Sequence, residues 1–448
     1  NAIVAFQDER HENLGIVVYK VSPAGAMLWG ADGIELTDTT STQGLSPVIG
    51  VLTSNNVVIA WNASDDTDKW VAMDHVLADG TVPSPAPYRI TGPDKYSRPK
   101  VVPMNNNGFF VQYVEEVGNF PFTCTMYAQA FDGFANVYGT FTVSTKTISA
   151  FYFPEPVPDG QNGFYVAFTT SNPDNQALSD VYVQHMDAAG ATWSGTGVEA
   201  AIGTATQRFT PGCVFISEAM GVFVPIQFTN SSQSEGGISV QRVDASGVLQ
   251  WDANGMEVIP MSADLPSPDD AAATSEGAIV VYSSGGFGNE HISAMQLGAD
   301  GYTVWTPFST GLCSANSNKD DVSCGSLVDG RLVSVWNDDR SGNGVYAQNL
   351  FLDGGIGPSV GVEEIAATTD VCLRMNPSER PTLVFGPGSF GMSTITVLEA
   401  NGRAVWNGRQ RTTEGTSVLL PADGLAAGLY TIRVSGMAGE RSLRWVKE

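Results

Sequence analysis

Histidine and the short motifs of common enzyme classes are scarce in this sequence of 448 residues. It has no GxSxG, HExxH, phosphate-binding loop or dinucleotide fingerprint, which argues against the hydrolases, zinc proteases and nucleotide-binding enzymes that carry them. No two histidines have the i, i+4 spacing of a helical metal site. We therefore expect ordinary strand or surface histidines at His11, His75, His185 and His291.

Cysteine is also rare, and the absence of a CxxC pair excludes a zinc ribbon. Cys313 and Cys324 flank a short polar loop, so they are candidates for one disulfide in an oxidising compartment. The other three cysteines are expected to be buried thiols, namely Cys124, Cys213 and Cys372.

Long apolar runs and positive charge are missing as well. No apolar stretch reaches the roughly 20 residues of a membrane span, so no span is predicted. The formal net charge is −25, and such an acidic surface repels nucleic acid and anionic membranes. The same acidic surface is expected to attract cations or a basic partner, or it serves only to keep the protein soluble. The chain opens on Asn1 inside a strand-like stretch, so we expect a segment upstream in the natural protein.

Glycine and apolar residues are plentiful, with 49 glycines and a hydrophobic fraction of 42%, which predicts a core and many short strands. An apolar strand that ends near a mostly aromatic marker residue and then turns polar occurs seven times. Examples are "VVIAWNASDD" and "LVSVWNDDR". The marker positions, 52 to 58 residues apart, are Phe6, Trp61, Tyr113, Phe168, Ile226, Tyr282 and Trp336.

Each marker is followed by a second strand, such as "GVYAQNL", and by a tight turn in which glycine is expected to supply a positive φ. In four copies a tryptophan stands three or four residues after that glycine. The turn glycines are Gly25, Gly80, Gly133, Gly190, Gly247, Gly301 and Gly354, and the tryptophans are Trp29, Trp193, Trp251 and Trp305.

Six copies also have a leading strand, such as "SPVIGVL", so the unit has four antiparallel strands in about 55 residues. Radial repetition of this unit predicts an all-β, seven-bladed β-propeller over residues 1–367, with a linear solenoid as the alternative. The first blade lacks its leading strand, which leaves a position open for a missing native segment or another molecule. The repeats resemble those of secreted bacterial propellers, best in "VAFQDERHENLGIVVYKVSPAGAMLWG".

Acidic residues cluster at the turns between strands. Calcium needs six or more converging oxygens, which such a turn can supply. Arg10 and Arg340 directly follow two clusters, so a solvated turn with a local ion pair is the alternative. A carboxylate pair for glycoside hydrolysis cannot be assigned, because it would have to converge from different blades. The calcium candidates, which are the only cofactor ligands considered, are Asp65, Asp66, Asp68, Asp338 and Asp339.

The repeat stops near residue 367, and a linker over 368–381 leads to a different pattern over 382–448. Short alternating strands there predict a small Ig-like β-sandwich. Asn401 and Gly402 stand between two of them and mark a two-residue hairpin. The residues expected to face its core are Ile395, Val397, Val405, Val418, Leu420, Tyr430, Ile432 and Val434.

This last domain resembles the type A C-terminal sorting domain of the bacterial type IX secretion system. The resemblance lies in an Asn-Pro start, the "VLEANGRAVW" hairpin, "LPADGLAAGLYTIRV" and a basic residue near the end. The motif residues are Asn376, Pro377, Asn401, Gly402, Gly428, Tyr430 and Lys447. The resemblance implies export through the periplasm and outer membrane, with the translocon, its shuttle protein and a sortase as partners.

The charge of the tail differs from that of the rest of the chain. From Cys372 onward there are nine Lys/Arg and six Asp/Glu, whereas the preceding residues hold the remaining 13 and 41. A tail with partners of its own accounts for this difference.

Taken with the missing catalytic motifs, the sequence favours a secreted or surface-displayed protein whose propeller binds a glycan or protein without catalysis. A secreted carbohydrate-active enzyme that works from a propeller face is the first alternative. A surface filament or assembly subunit is the second. The fold class alone does not name the ligand.

Overall fold

The computed structural model describes residues 1–448 except 11–12, 38–41, 121, 172–178, 202–206, 358–370, 375–377, 387–390, 400–402, 414, 437–438 and 448. The described residues form strands, turns and bends. Among them there is no helix with the length and apolar character that crossing a membrane requires. The chain divides into two compact units, Asn1–Ser359 and Val360–Glu448.

The first unit consists of small antiparallel sheets that follow one another along the chain, and its described residues contain seven of them. We number the sheets in chain order. The strands are β1 (Ala2–Asp8), β2 (Gly15–Val21) and β3 (Ile34–Glu35) in sheet 1; β4 (Gln43–Val51), β5 (Val57–Ser64), β6 (Lys69–Val76) and β7 (Tyr88–Ile90) in sheet 2; β8 (Lys95–Pro103), β9 (Phe109–Val117), β10 (Thr123–Phe131) and β11 (Val137–Ser144) in sheet 3; and β12 (Glu155–Pro158), β13 (Phe164–Thr169), β14 (Val181–Met186) and β15 (Val198–Glu199) in sheet 4.

Sheets 5 to 7 continue the same plan. Their strands are β16 (Gln207–Phe209), β17 (Val214–Ser217), β18 (Gly221–Thr229), β19 (Gly236–Val243) and β20 (Met256–Ser262) in sheet 5; β21 (Ser267–Ala273), β22 (Gly277–Ser284), β23 (His291–Gly298) and β24 (Thr310–Cys313) in sheet 6; and β25 (Lys319–Cys324), β26 (Arg331–Asp338) and β27 (Gly344–Phe351) in sheet 7.

Each copy of the sequence repeat corresponds to one sheet. The seven marker residues lie in β1, β5, β9, β13, β18, β22 and β26, and all of them except Phe6 are buried. The marker strand pairs with the leading strand on one side and with the following strand on the other, as in β8, β9 and β10. The all-β, β-propeller-like fold predicted from the repeat is thereby confirmed.

The leading strands of neighbouring sheets in the first unit contact one another. Contacts run in succession from β4 to β8, β12, β17, β21 and β25. Sheet 1 has no leading strand among its described residues, so β1 lies at its edge and contacts β4.

Sheets 1 and 7 differ from the sheets between them in how their marker strands are buried. Marker strands β5, β9, β13, β18 and β22 are buried on both faces over most of their length. In contrast, β1 and β26 alternate, which leaves Val4, Phe6, Val333 and Val335 exposed. A period of two means that only one face of each sheet is covered.

The tryptophans and turn glycines that repeat in the sequence contact each other between consecutive sheets. The indole of one sheet packs on the turn glycine of the next: Trp29 on Gly80, Trp193 on Gly247, Trp251 on Gly301 and Trp305 on Gly354. The indole Nε1 of Trp193 also donates to the Ala245 carbonyl at 3.0 Å, and that of Trp305 to the Leu352 carbonyl at 2.9 Å. These contacts explain why the tryptophans and the turn glycines recur with the same period.

One turn prediction is wrong. Gly133 does not have the positive φ expected for the repeat glycine, and Ala135 has a φ of 63° instead. The turn begins at Asp132, whose carbonyl accepts from the Ala135 amide, just as the Asp187 carbonyl accepts from Gly190. Ala135 is thus the structural equivalent of the repeat glycine, and Gly133 lies two residues too early in the chain.

The second unit contains two sheets around one core. Its strands are β28 (Val371–Leu373), β29 (Thr382–Phe385) and β32 (Ser417–Leu419) in sheet 8, and β30 (Gly391–Glu399), β31 (Ala404–Thr412), β33 (Gly428–Gly436) and β34 (Gly439–Lys447) in sheet 9. All eight residues predicted to face the core belong to this cluster or pack against it. β28 falls inside the predicted linker, where it pairs with β29.

Candidate functional site

A cavity of about 1170 Å³ opens among the leading strands of the first unit. Its walls come from β12, β16, β17, β21 and β25 and from the loops next to them, so four consecutive sheets contribute. Leading strands line it because those of consecutive sheets lie next to one another. A cavity of this size is large enough for an extended ligand.

One wall of the cavity is aromatic. Phe151, Tyr152 and Phe153 precede β12, and Phe209 comes from β16. The rings of Tyr152 and Phe209 stack with their centroids 4.7 Å apart. Phe151 and Phe153 are 70% and 57% exposed, which is unusual for phenylalanine and leaves their rings available to a ligand.

Arg98 holds this aromatic loop in place. Its guanidinium donates from Nη1 to the Ser149 carbonyl and from Nη2 to the Ala150 carbonyl, both at 3.0 Å. It also lies 5.0 Å from the centroid of the Phe153 ring. Arg98 sits at an irregularity of β8 with a φ of 57°, and its charge is balanced by Glu116 at 3.5 Å.

Another part of the lining carries two adjacent carboxylates, Asp269 and Asp270, in β21. The register of β21 against β22 shifts between Pro268 and Asp270, so Asp269 is the extra residue of a β-bulge. A bulge lets neighbouring side chains of one strand depart from strict alternation. Both aspartates line the cavity for this reason.

Asp269 is only partly satisfied. Its Oδ1 accepts from the Ser283 hydroxyl at 3.1 Å, while its Oδ2 is buried and has no hydrogen-bond partner in the part of the chain that is described. Burial raises the pKa of Asp269 to about 7, because desolvation disfavours the charged carboxylate. Near neutral pH this group therefore exists in both protonation states.

Asp270 is tied to the neighbouring sheet. Its Oδ2 accepts from the Cys324 amide at 2.7 Å and from the Ser323 hydroxyl at 3.2 Å, and its Oδ1 accepts from the Ala271 amide at 2.7 Å. These donors favour the ionised carboxylate. The pair thus combines a carboxyl that can hold a proton with one that is bonded as an anion.

The remaining charges of the lining are also acidic. Glu155 pairs with Lys100, which lies outside the lining. Asp321 accepts from the side-chain Nδ2 of Asn337 at 2.7 Å. No lysine or arginine is among the described lining residues. The cavity therefore has a negative potential.

The calcium candidates do not converge with one another. The Oδ1 of Asp65 accepts from the amides of Thr67 and Asp68 within its own turn. Asp338 is the last residue of β26 in another sheet, and Asp339 follows that strand, far along the chain from Asp66. Among the described residues, no three acidic, histidine or cysteine side chains are grouped as a metal site would require.

The arginines that follow two acidic clusters pair with them, as the alternative prediction stated. Arg10 Nη2 lies 2.8 Å from Asp8, and Arg340 pairs with Asp338. The second pair is not a solvated turn, because the Asp338 side chain is fully buried and also accepts from Trp336 Nε1 at 3.2 Å. Hydrogen bonding by Arg340 lowers the pKa of Asp338.

The predicted cysteine pairing is not formed. Cys313 and Cys324 are free thiols, and Cys313 accepts from Arg340 Nη2 at 2.9 Å. Both side chains belong to one apolar cluster between sheets 6 and 7. Cys124 and Cys213 are buried as expected, whereas Cys372 is exposed.

Part of the sorting-domain motif can be placed. Gly428 is opposite Lys447 in the β33–β34 pair, and Tyr430 is opposite Trp445, with ring centroids 5.1 Å apart. Lys447 Nζ donates to the Glu379 carbonyl at 3.4 Å. β30 pairs with β31 as the hairpin requires, but Asn401, Gly402, Asn376 and Pro377 lie outside the described residues, as does His11.

Sequence reasoning missed the carboxylate pair. The only sign of it is "SPDDAAA", a leading strand in which two acidic residues interrupt small ones. Asp159 was also missed: its Oδ2 lies 2.8 Å from His185 Nε2, in a pair that packs beside Tyr165. That pair is outside the cavity lining.

No protein-family model matches the chain, and no curated protein matches it. Among solved structures, it is similar to the polysaccharide lyase Uly1, with 10% identity over 79% of this chain and 88% of that one and a TM-score of 0.50. It is also similar to an α-L-arabinanase of Penicillium chrysogenum complexed with arabinobiose, with 11% identity over 69% and 93% and a TM-score of 0.38. A Dyadobacter fermentans protein of unknown function matches at 10% identity over 69% and 94%, with a TM-score of 0.41. At these identities the likeness concerns the fold alone.

Proposed function

We propose that the first unit is a seven-bladed β-propeller that binds a glycan in its central cavity, and that the second unit is an Ig-like sorting domain that directs export to the cell surface. The observation that carries the binding function is that exposed aromatic rings and carboxylates line the same cavity. Aromatic rings offer flat apolar surfaces to the C–H faces of sugar rings, and carboxylates accept from their hydroxyls.

The succession of contacts between leading strands supports the seven-bladed ring. In a closed ring, the bare face of sheet 1 and that of sheet 7 lie at the closing junction. Class averages from electron microscopy would show sevenfold pseudo-symmetry. An open arc or a different number of blades would contradict this part of the proposal.

Glycan binding is measured by calorimetry with the purified chain after a glycan-array survey. Replacing Tyr152 or Phe209 by alanine should weaken binding about tenfold, because stacking on an aromatic ring contributes on the order of 1 kcal/mol or more. Phe287→Ala is the matched control, since Phe287 is 89% exposed and lies outside the cavity lining. Equal losses in all three variants would argue against the cavity as the binding site.

A carbohydrate-active enzyme is the second candidate, and Asp269 favours it. A carboxyl with a pKa of about 7 beside a bonded carboxylate can serve as a general acid at neutral pH. Release of reducing ends or unsaturated products from any polysaccharide, abolished by Asp269→Asn, would establish this function. Tight glycan binding without turnover would leave the non-catalytic function.

Export by the type IX system is supported by the motif resemblance and by the separate core of the second unit. Deleting the residues from Cys372 onward should block export from a bacterium that carries this system. Circular dichroism of the purified truncated chain is the control for folding. Normal export of the truncated chain would refute the sorting function.

A further inference from the structure

We propose that the cavity selects glycans that carry a protonated amine, such as glucosamine oligomers, over neutral and anionic glycans. This inference rests on the proposed glycan binding and adds the charge of the ligand. It follows from three features of the cavity that concern charge, hydrogen bonding and shape.

The first feature is the one-sided charge of the lining. Asp269, Asp270, Asp321 and Glu155 line the cavity, and no basic side chain does so among the described residues. Only Glu155 is neutralised by a lysine, Lys100. Uronate or sulfate groups of an anionic glycan would be repelled from such a site, whereas an ammonium group would be attracted.

The second feature is the unpartnered oxygen of Asp269. The Ser283 hydroxyl satisfies only Oδ1, and Oδ2 is buried without a donor in the described part of the chain, which is costly for the ionised carboxyl. Asp270 is occupied by donors from sheet 7. The positive charge of a sugar amine in the cavity would offset that cost electrostatically and favour ionisation of Asp269.

The third feature is the aromatic wall, which separates a sugar from a simple cation. The stacked rings of Tyr152 and Phe209 and the exposed ring of Phe153 form flat surfaces suited to pyranose rings. Aromatic faces also attract cations. A metal ion is bound by oxygen, nitrogen or sulfur atoms and gains nothing from the flat apolar faces of these rings. Among the described residues, no side chains are grouped as a metal site requires.

The experiment compares three oligosaccharides of equal length by calorimetry with the full chain in a buffer near pH 7, where Asp269 is partly ionised. They are oligomers of glucosamine, N-acetylglucosamine and galacturonate. We expect the glucosamine oligomer to bind at least about tenfold more tightly than its N-acetylated form, and the galacturonate oligomer not to bind. Because the preference is electrostatic, it should decrease as salt is raised.

Asp269→Asn should reduce the preference for the amine to about twofold or less. Asp74→Asn is the matched control: Asp74 is also buried with a pKa raised by burial to about 7, but it lies in β6, outside the cavity lining. It should keep the full preference. An Asp269→Asn variant that retains the preference would overturn the inference.

The wild-type chain alone already decides the matter if a variant does not fold. Equal binding of the glucosamine and N-acetylglucosamine oligomers would overturn the amine selectivity and leave the proposed glycan binding intact. Oligolysine that binds as tightly as the glucosamine oligomer would overturn it too, by showing a general cation site. Failure of all three oligosaccharides and of every arrayed glycan would refute the proposed function itself.

Discussion

Replacing Gly247 by alanine separates the two reasons why a glycine occupies the repeat turn. Its φ is +82°, and a Cβ there would lie 3.0 Å from Cδ2 of the Trp193 indole. Gly25 holds the same turn position with a φ of +81°, but a Cβ would meet nothing within 4 Å. The two sites share the backbone conformation and differ in the neighbouring ring.

The expected magnitudes follow from this difference. Alanine in the left-handed region costs roughly 1–2 kcal/mol, which applies to both variants. At Gly247 the indole must also move, which weakens its 3.0 Å hydrogen bond to the Ala245 carbonyl, worth about 1 kcal/mol. Gly247→Ala should therefore lower the free energy of unfolding by about 1 kcal/mol more than Gly25→Ala does.

Urea unfolding, followed by tryptophan fluorescence and far-ultraviolet circular dichroism, measures both losses. With a slope of about 2–3 kcal/mol/M, the two midpoints should differ by roughly 0.3–0.5 M. In a Trp193→Ala background, alanine at 247 should cost no more than alanine at 25, because the ring is gone. Equal midpoints for the two single variants would refute the contact between sheets as the reason for the glycine.

Three further outcomes are expected. First, burial raises the pKa of Asp269 to about 7, so its contribution to stability is complete below about pH 4, where an unfolded aspartate titrates, and is lost as the pH rises through 7. Asp269→Asn should therefore shrink the difference between the urea midpoints at pH 5 and pH 8. An unchanged difference would contradict the burial of this carboxyl. Second, Arg98→Ala should weaken glycan binding with little change in the affinity for a ligand-independent antibody against the folded chain, since it frees the aromatic loop; unaltered glycan affinity would show that the loop needs no anchor. Third, Asp338→Asn should destabilise the first unit by about 3–5 kcal/mol in urea unfolding, because Lys319 and Arg340 lose a buried counter-charge, whereas Asp8→Asn at the more exposed equivalent pair should cost less; equal losses would refute the role of burial.

The fold could be predicted from the sequence where one physical constraint recurs. Five of the seven copies bury a marker strand on both faces, and each copy closes a tight turn, so Trp61 and Gly80 stand at fixed places in their copy. The core of the second unit could be predicted for a similar reason, since period-two alternation places Ile395 and Val397 on one face. The turn at Gly133 shows the limit of such prediction. A glycine after an aspartate indicates a turn, but the hydrogen bonds to Asp132 decide which residue takes the positive φ.

The candidate site could not be predicted because it has no local pattern. The aromatic loop, Phe209 and the aspartates of β21 come from three different sheets, which lie together only once their leading strands pack. The role of Asp269 also depends on a bulge, and one extra residue in a strand leaves no clear trace in composition. The acidic clusters at the turns were more conspicuous in the sequence, yet two of them form ion pairs with the arginine that follows, such as Arg10 with Asp8, and Asp65 accepts from amides of its own turn.

The tryptophan of one repeat packs on the turn glycine of the following repeat, and this shared contact makes neighbouring repeats interchangeable. Because Trp193, Trp251 and Trp305 each meet the same kind of partner one repeat further on, a duplicated or deleted copy would find a matching neighbour on either side. Phe141, which packs on Gly190 in the same way, shows that another aromatic ring is tolerated there. The contact between consecutive sheets is thus of the same kind from repeat to repeat, and a chain of this design can change its number of repeats by gene duplication without needing a new kind of contact.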